Sequence, residues 1–567
     1  MYLSLCLYGK RTIIAKRSPW VESVYACCAL QYDALLYYKR VNSMPENSPA
    51  QPKQQNSSPG LLRSSSIVSL MTLLSRISGL VRDVVVAQYF GARADAFFVA
   101  FKIPNFFRRL FAEGAFSVAF VPVLSEYRRT RSIDEVKLLI ARVSGVLGAI
   151  LLGVTVLALL FANYVPWIFS PGFSEDPAKF MLTGDLLRLT FPYLLFISLA
   201  AFYSSVLNSY GSFAAPAITP VLLNICLIFA ALIMTDWFDE PLFALAWGVF
   251  IAGVVQLVFL LPFVAQKRLL VAPQFNVKDE GVRRIGSLMI PALFGVSVSQ
   301  INLLLDTLLA SFLESGSVSW LYYSDRLNNL PLGVFAIAIG VVILPALSRN
   351  HADKQADHFS HTLDWAVRMI FLIALPASIA LIMLATPLMS TIFYHGEITA
   401  YDIGKMTLSL QAYASGLLAF MLIKVLAPGF YARQDTKTPV RIGIQAMIVN
   451  MFLNLALVFP LQHTGLALAT ALSAFFNAFM LYYLLRKQGV YTHQSGWPVF
   501  LLKVLAANAA LIAVIAALVG PSAQWLEWSS MDRILWLSVI VVTGVVSYFA
   551  VLFAVGLRPK HLKGELF

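Results

Sequence analysis

The sequence predicts an all-α polytopic membrane protein. Of its 567 residues, 59% are hydrophobic and only 13% are charged, with a mean hydropathy of +0.75. Soluble domains carry about 25% charged residues, so most of this chain must lie in lipid. Apolar stretches of about 20 residues, the length that crosses a bilayer, recur along almost the whole chain. Their number predicts about fourteen transmembrane helices.

The predicted spans follow one another with short polar connections. We place them at 64–91, 93–125, 134–163, 178–207, 215–236, 241–265, 278–313, 317–348, 357–384, 402–432, 438–460, 464–487, 495–520 and 531–556.

The first sixty residues differ from the rest. Residues 44–60 are rich in Pro, Ser and Gln and are predicted to be disordered. Residues 1–43 lack the apolar core and small-residue cleavage site of a signal peptide. Either translation begins at Met44, or residues 1–60 form a genuine cytosolic leader. We favour the first interpretation, because Met44 would place a short polar segment before the first span.

The net charge of +13 marks topology rather than nucleic-acid binding. Basic residues concentrate in alternate loops, which carry Arg128, Arg129, Arg131, Lys267, Arg268, Lys278, Arg283, Arg284, Arg349, Lys354, Arg433, Lys437, Arg486 and Lys487, and in the tail with Arg558, Lys560 and Lys563. The intervening loops are acidic and carry Glu175, Asp176, Asp236, Asp239, Glu240, Glu314, Glu397, Asp402, Glu527 and Asp532. Because cytoplasmic loops are the basic ones, we predict that both termini are cytoplasmic.

Cysteine and histidine give no sign of a disulfide framework or a zinc site. Three of the four cysteines lie in the leader, and only Cys226 lies in a predicted span. The closest histidines, His351, His358 and His361, fall in a polar loop without zinc-ligand spacing.

An internal repeat divides the chain. FVPVLS at 120–125 recurs as ILPALS at 343–348, and the same offset relates Asp83 to Asp306 and Pro216 to Pro439. The offset covers six spans, so the two copies have the same orientation. This parallel repeat is typical of transporters that bind their substrate between two lobes.

The repeat predicts four segments. They are a leader at 1–60, an N-lobe of spans one to six at 61–270, a C-lobe of spans seven to twelve at 271–490, and two additional C-terminal spans with a cytoplasmic tail at 491–567.

Charged residues interrupt several apolar spans. Span one carries Arg76, Arg82 and Asp83; span two carries Asp95, Lys102, Asn105, Arg108, Arg109 and Glu113; span eight carries Asp325 and Arg326. A charge at the bilayer centre costs about 2.5 kcal/mol or more, so these side chains should face a cavity. Arginine binds phosphate oxygens bidentately, which predicts an anionic, phosphate-bearing substrate.

Two alternatives apply to these charges. Arg76, Arg82 and Arg108 would be merely structural if they paired with Asp83, Asp95 and Glu113. Arg109 would reach the cytoplasmic interface rather than the cavity, because long basic side chains extend towards water.

A second polar group surrounds Asp306 in span seven. Asn450 and Asn454 are four residues apart on one face of span eleven, and Thr470 in span twelve could complete an oxygen cluster. Such ligands suit sodium. Interhelical hydrogen bonding is the commoner role for polar residues in spans, and the residues alone favour it. Asp306 also lacks the basic neighbour of its repeat mate, because Leu305 replaces Arg82.

Three strings resemble the MurJ (MviN) family of lipid II flippases, in the multidrug/oligosaccharidyl-lipid/polysaccharide exporter superfamily. They are SRISGLVRDVVVAQYFGARADAFFVAFKIPNFFRRLFAEGAFSVAFVPVLSEY, SGSVSWLYYSDRLNNLPLGV and KVLAPGFYARQDTKTPV, and the resemblance covers about residues 61–560. It implies fourteen helices in two lobes, alternating access of a cationic cavity, and a groove for a lipid tail along the last two helices. The implied substrate is lipid II, an undecaprenyl-diphosphate-linked peptidoglycan precursor, in the bacterial inner membrane.

The resemblance also implies site residues. The family's cavity arginines match Arg76, Arg82, Arg108 and Arg326, and its polar neighbours match Ser75, Asp83, Asp95, Asn105 and Ser319. A sodium site of some members matches Asp306, Asn450, Asn454 and Thr470, with Asn454 standing where a carboxylate occurs in the family.

Other functions make different predictions. A flippase for another polyprenyl-diphosphate oligosaccharide would keep the basic cavity, and only the family strings argue against it. A multidrug exporter would carry cavity carboxylates for cationic drugs. A lipid-linked glycosyltransferase or polymerase would need a catalytic carboxylate in a sizeable extracytoplasmic loop, and the acidic loops here are short.

We find no nucleotide-binding, metal or nucleophile–base motif, so we predict a transporter without a cofactor other than a sodium coupling ion. The expected partners are lipid II, membrane lipids and the cell-wall synthesis machinery, without nucleic acid. The sequence leaves the energy source open between membrane potential, sodium and protons.

Overall fold

The computed structural model describes residues 59–109, 116–353 and 355–557, and the statements below concern these residues. The chain divides into two compact units, Met1–Arg63 and Ser64–Phe567. Of the first unit only the beginning of one helix is described. The predicted leader up to residue 58 lies outside the described residues, as do Glu113, Lys354 and the basic tail after 557.

Every regular element in these ranges is helical, as the sequence predicts. The α-helices are α1 (Pro59–Phe90), α2 (Asp95–Arg108), α3 (Phe116–Thr130), α4 (Ile133–Leu160), α5 (Val165–Phe169), α6 (Pro177–Thr190), α7 (Tyr193–Ser209), α8 (Ala214–Phe229), α9 (Leu242–Gln266), α10 (Glu280–Ser311), α11 (Ser317–Pro331), α12 (Ile337–Ala352), α13 (Ala356–Met383), α14 (Ala385–Phe393), α15 (Ala400–Ser415), α16 (Leu417–Tyr431), α17 (Lys437–Lys487), α18 (Trp497–Val519), α19 (Gln524–Glu527) and α20 (Ser530–Ala554).

The helix boundaries repeat with the offset found in the sequence. The first residues of α4 and α13 are separated by that offset, and so are their last residues. The residues that cap α6 and α15 keep the same offset, since Asp176 and Thr399 each accept backbone N–H bonds at the first turn. The duplication therefore extends to the local signals that start helices.

Several predicted spans are divided or joined. Span four is broken between α6 and α7, where Pro192 cannot donate a backbone hydrogen bond. Spans eleven and twelve form the single element α17, with a sharp kink at Gln462, whose φ is 49°. The kink falls two residues after Pro460, at the predicted boundary between the two spans.

Nine helical stretches of the described residues are long and apolar enough to cross a membrane. They cover ten of the predicted spans, because α17 accounts for two. The predicted spans outside this set are one, two, seven and eight.

The predicted basic loops meet at one end of the molecule, here called the basic end. Arg284 at the start of α10 donates two hydrogen bonds of 2.8 Å to Glu126 near the end of α3. This pairing lowers the pKa of the Glu126 carboxyl. Arg142 in α4 pairs with Asp279, which also caps α10.

The predicted acidic loops meet at the opposite end, here called the acidic end. The backbone N–H of Glu397 donates to the carbonyl of Gln88 at 2.9 Å. The backbone N–H of Gly172 donates to the Ser311 hydroxyl at 3.1 Å. Each bond joins the first repeat to the second, so the two repeats are in contact at this end.

The buried hydrophobic residues form three large cores. One core runs through the first repeat and into the acidic-end parts of α11, α14 and α15, including Trp320, Phe393 and Met406. A second core fills α13, α16 and the later part of α17. A third joins α18 and α20 to α13. The continuous core at the acidic end closes that end between the repeats.

Candidate functional site

A cavity of about 680 Å³ lies between the two repeats. The first repeat contributes α1, α2 and α8 to its walls, and the second contributes α10, α11, α15 and α17. Predicted spans one, two, seven and eight all contribute charged residues to its lining. The charged side chains of these spans face a common interior space, as the high cost of placing charge in lipid requires.

The cavity lining is strongly cationic. The cationic residues are Arg76, Arg82, Lys102, Arg108, Arg109 and Arg326, and the anionic residues are Asp83, Asp306 and Asp325. Six positive and three negative groups leave a net charge of +3. This excess of positive charge favours an anionic ligand.

Arg82 is the most enclosed of the cavity arginines, at 6% exposure. Its Nη2 donates to Asp83 Oδ1 at 2.6 Å and to the Tyr322 hydroxyl at 2.9 Å. Its Nη1 donates to Asn224 Oδ1 at 3.0 Å. Three partners from three helices therefore fix the plane of this guanidinium.

Asp83 links Arg82 to the second repeat. Its Oδ2 lies 3.0 Å from Arg326 Nε, and its Oδ1 accepts from the Tyr322 hydroxyl at 3.0 Å. Arg326 Nη2 also donates to the Tyr322 hydroxyl at 2.9 Å. One carboxylate therefore holds two arginines, so the group keeps an excess positive charge.

Arg76 and Arg108 present their charges differently. Arg76 makes no hydrogen bond or ion pair with the described part of the chain, and its guanidinium lies against Gly333. Arg108 Nε donates to Asn105 Oδ1 at 2.9 Å. Ser75 also lines the cavity, and its carbonyl accepts from the Asn224 amide at 3.1 Å.

Two of the predicted site residues lie elsewhere. Asp95, 1% exposed, accepts from the backbone N–H of Gly316 at 2.7 Å and from the N–H and hydroxyl of Ser319 at 2.8 and 2.6 Å. It also pairs with Lys179 at 2.9 Å. Asp95 and Ser319 therefore close the start of α11 at the acidic end, and we correct their assignment from substrate contact to structural contact.

The structural alternative for the arginines holds in part. Arg82 does pair with Asp83, whereas Asp95 pairs with Lys179 rather than with an arginine. Glu113 lies outside the described residues. Arg109 is exposed, as its predicted interfacial role requires, although it also lines the cavity.

Asp306 is not the isolated carboxylate that the sequence predicts. Its Oδ1 accepts from Asn454 Nδ2 at 2.7 Å, and the same nitrogen donates to Asn450 Oδ1 at 2.9 Å. The Lys102 ammonium interacts electrostatically with Asp306 and with Asp325. Asn450 Nδ2 lies 3.5 Å from Thr470 Oγ1, so all four predicted residues meet in one cluster.

Asn224, Tyr322 and Tyr413 are among the cavity residues that the sequence did not predict. Asn224 carried a usable signal, since it is a buried amide in an otherwise apolar span. Tyr322 and Tyr413 carried none, because tyrosines also occur in apolar cores and at membrane interfaces.

The comparisons with known proteins agree with this geometry. The family model described as "Lipid II flippase MurJ" matches residues 86–548. A Vibrio cholerae protein named "Probable lipid II flippase MurJ" is 50% identical over 514 residues, covering 89% of this chain and 98% of that relative. "Lipid II flippase MurJ" of Burkholderia cenocepacia is 39% identical, covering 89% of this chain and 99% of that relative.

Solved structures show the same fold. "Lipid II flippase MurJ, inward closed conformation" has a TM-score of 0.73 and 26% sequence identity, covering 86% of this chain and 98% of that one. An inward-facing multidrug resistance MATE family transporter of the MOP superfamily has a TM-score of 0.61 at 13% identity, covering 75% of this chain and 98% of that one, which shows the fold alone.

Proposed function

The chain belongs to the MurJ family of lipid II flippases, and from that premise we propose how its cavity moves lipid II. It is a transporter rather than an enzyme. The lipid-linked precursor enters the cavity from the cytoplasmic leaflet with its diphosphate, and the two repeats rock about it to release it to the periplasmic leaflet.

The observation that supports this proposal most directly is the net charge of +3 in a cavity shared by both repeats. A diphosphate offers several oxygens at once. Arg82 and Arg326 reach it from opposite repeats. The Arg76 guanidinium, which has no ion-pair partner among the described residues, adds a further bidentate donor. Because binding draws on both repeats, occupancy is coupled to their relative motion.

The cavity also separates this proposal from its nearest rival. A multidrug exporter for cationic compounds would need anionic groups in excess, and here cationic groups outnumber them by two to one. The MATE transporter shares the fold but not enough sequence to transfer its substrate.

Complementation of a flippase-depleted strain, with a lipid II translocation assay, tests the proposal. We expect the chain to restore growth and translocation. The substitution Arg82→Ala should abolish both at normal membrane levels. The matched control Arg188→Ala removes an exposed arginine that pairs with Asp185 on α6, and it should behave as the unmodified protein. Normal translocation by Arg82→Ala would contradict the proposed role of the cavity.

We further propose that the protein lies in the inner membrane with its basic end in the cytoplasm. The apolar helical stretches and the family support a multi-pass inner-membrane protein. The positive-inside rule supports the orientation. Reporter fusions at either terminus should show a cytoplasmic location. A C-terminal fusion active only in the periplasm would overturn the fourteen-span topology.

We also propose that the Asp306 cluster binds sodium. Asn454 Nδ2 lies within 2.9 Å of oxygens from Asp306 and Asn450, whereas Asn454 Oδ1 is buried without a partner in the described part of the chain. Rotating this amide by half a turn would bring three oxygens together around one point. Oxygen ligands around a single carboxylate suit a hard monovalent cation.

The purified protein should then melt at a higher temperature in sodium than in potassium, because a ligand that binds only the folded state stabilises it. Asp306→Asn should remove the difference, and Asp357→Asn, an exposed acid on α13, should preserve it. Equal melting of the unmodified protein in both salts would argue instead for coupling to membrane potential or protons.

A further inference from the structure

A second cavity, of about 320 Å³, lies wholly within the second repeat. Its walls come from α10, α16 and both halves of α17. Its polar lining residues are Asn302, Asn450, Thr470, Ser473 and Asn477. Nothing in the proposed movement of lipid II uses this space.

The second cavity extends along α17 from Val440, near the basic end, to Asn450. Val440, Gly443, Met447 and Asn450 line it at spacings of three and four residues, which places them on one helix face. Val440 lies three residues after the start of α17 at the basic end. At about 1.5 Å per residue, Asn450 lies roughly 15 Å deeper, about half of the hydrocarbon thickness.

The polar side of the lining offers hydrogen-bonding partners to water. The lining has no charged residue; five of its twelve residues carry an amide or a hydroxyl, and the other seven are apolar or glycine. The amide oxygen of Asn302 is buried and has no hydrogen-bond partner in the described part of the chain. An unsatisfied amide at membrane depth is strongly unfavourable unless water reaches it. The cavity has room for several waters, each of about 30 Å³.

The second cavity meets the substrate cavity at one residue. Thr470 lines both, and it sits beside the cluster of Asp306, Asn450 and Asn454. The cluster therefore forms a partition between the two spaces. Because every wall of the second cavity belongs to one repeat, the rocking of the repeats against each other does not open or close it.

We propose that the second cavity is an aqueous vestibule through which a hydrated monovalent cation reaches the Asp306 cluster from the basic end. The route is separate from the one taken by the substrate. The cluster therefore exchanges its cation with the cytoplasm even while lipid II occupies the substrate cavity. The identity of the cation as sodium rests on the proposed function, whereas the vestibule itself does not.

Cysteine accessibility tests the vestibule in the full-length chain. The four native cysteines, Cys6, Cys27, Cys28 and Cys226, are first replaced by serine. Gly443→Cys and Ser473→Cys then place thiols near the mouth and beside the cluster. Gly443 suits this use because a side chain there meets no atom within 4 Å. The probe is a membrane-impermeant thiosulfonate with a quaternary ammonium group.

The matched control is Gly153→Cys in α4. Gly153 also has no atom within 4 Å of an added side chain, but it is exposed on the apolar outer surface of its helix. In inside-out vesicles we expect Gly443→Cys and Ser473→Cys to react at least tenfold faster than Gly153→Cys. In intact spheroplasts neither should react. Equal rates for Gly443→Cys and Gly153→Cys, or reaction from the spheroplast side alone, would overturn the vestibule.

A separate measurement distinguishes failure of the vestibule from failure of the sodium proposal. The melting difference between sodium and potassium in the unmodified protein reports the ion site and does not depend on the route. Rapid labelling without a melting difference would retain the vestibule and reject sodium. A melting difference without labelling would retain sodium and reject this route.

Discussion

Asp83 lets two arginines of like charge occupy one small volume. Its two oxygens face Arg82 and Arg326 at 2.6 and 3.0 Å, and the Tyr322 hydroxyl bonds to all three groups. The Asp83 carboxylate balances one of the two arginine charges, and the second positive charge remains available to bind an anionic ligand. A phosphate can therefore bind without first breaking this network, because the arginines are already held in place.

The fixed geometry of Arg82 predicts that lysine cannot replace it. Its guanidinium contacts Asp83, Asn224 and Tyr322 at once, and a single ammonium cannot reproduce this planar set. We expect Arg82→Lys to lower the lipid II translocation rate at least tenfold with unchanged membrane levels.

The comparison for this prediction is Arg108→Lys. Arg108 donates through Nε to Asn105 of its own helix, and a lysine ammonium can keep such a local bond. Lysine should therefore retain more activity there than at Arg82. Equal activity of the two lysine variants in the translocation assay would show that the fixed plane of Arg82 is unimportant.

Gly333 provides the space that Arg76 occupies. A methyl group at residue 333 would overlap the Arg76 guanidinium, which is the mobile end of a long side chain. Gly333→Ala should therefore displace the charge without unfolding the protein. We expect a severalfold loss of translocation with a melting temperature within about 2 °C of the unmodified protein, consistent with a stability change below about 1 kcal/mol.

The control for this prediction is Gly404→Ala in α15, where a methyl group meets no atom within 4 Å. It should change neither translocation nor melting. Full activity of Gly333→Ala would mean that Arg76 tolerates displacement and that its position in the cavity is not critical.

At the scale of helices, a charged residue in an apolar span predicts that its side chain is shielded from lipid. It does not predict which residue that side chain contacts. This reasoning placed Arg76, Arg82, Arg108 and Arg326 in a cavity, and the structure brings all four together. The same reasoning failed for Asp95, because a helix N-terminus satisfies a carboxylate as well as a cavity does. Its partner Lys179 is 84 residues away along the chain, so a local sequence pattern could not predict this ion pair.

The C-terminal helix pair is attached through a polar cluster that the sequence did not reveal. Asp364 in α13 accepts from the Tyr491 hydroxyl at 2.8 Å and from the Trp497 indole at 2.7 Å, and it pairs with Arg368 at 2.8 Å. Arg368 also donates to the carbonyl of Ser495 at 3.0 Å. These contacts fix the segment that leads into α18.

We expect Asp364→Ala to destabilise the protein by about 3 kcal/mol, because it leaves Arg368 without its buried partner. Asp364→Asn should cost less, since its amide oxygen can still accept from Tyr491 and Trp497. Thermal unfolding of the purified protein measures both. Asp357→Ala, an exposed acid on the first turn of the same helix, is the control. A melting temperature unchanged by Asp364→Ala would show that the hydrophobic core alone holds α18 and α20.

At the scale of the whole molecule, the acidic end is closed by two contacts that the duplication relates. Gln88 at the end of α1 meets the loop at Gly396, and Ser311 at the end of α10 meets the loop at Gly172. The offset that relates Asp83 to Asp306 also relates Gln88 to Ser311. Closure is therefore pseudo-symmetric, with each repeat contributing a helix end to the other's loop.

Both contacts depend on glycine. A side chain at Gly172 would overlap the backbone of Ser311 and Phe312, which cannot move aside as a flexible side chain can. At Gly396 it would overlap the Gln88 carbonyl, and the positive φ of 59° further disfavours any other residue. Replacing either glycine should thus push the two repeats apart at the acidic end, without touching the arginines of the cavity.

We therefore expect Gly172→Ala to favour a state that is open at the acidic end. A cysteine placed at Ala310, a small residue of α10 that lines the cavity, reports the opening in the chain freed of its native cysteines. In intact spheroplasts, a membrane-impermeant thiol reagent should label Ala310→Cys severalfold faster when Gly172→Ala is also present. The control is Gly148→Ala, because a methyl group added at Gly148 meets no atom within 4 Å; it should leave the labelling rate unchanged.

Because this reagent reaches only the outer face of the membrane, faster labelling would also locate the acidic end outside the cytoplasm. Identical rates in all three backgrounds would mean that the Gly172 contact does not hold the two repeats together, and that closure depends on Asp95 and the continuous hydrophobic core instead.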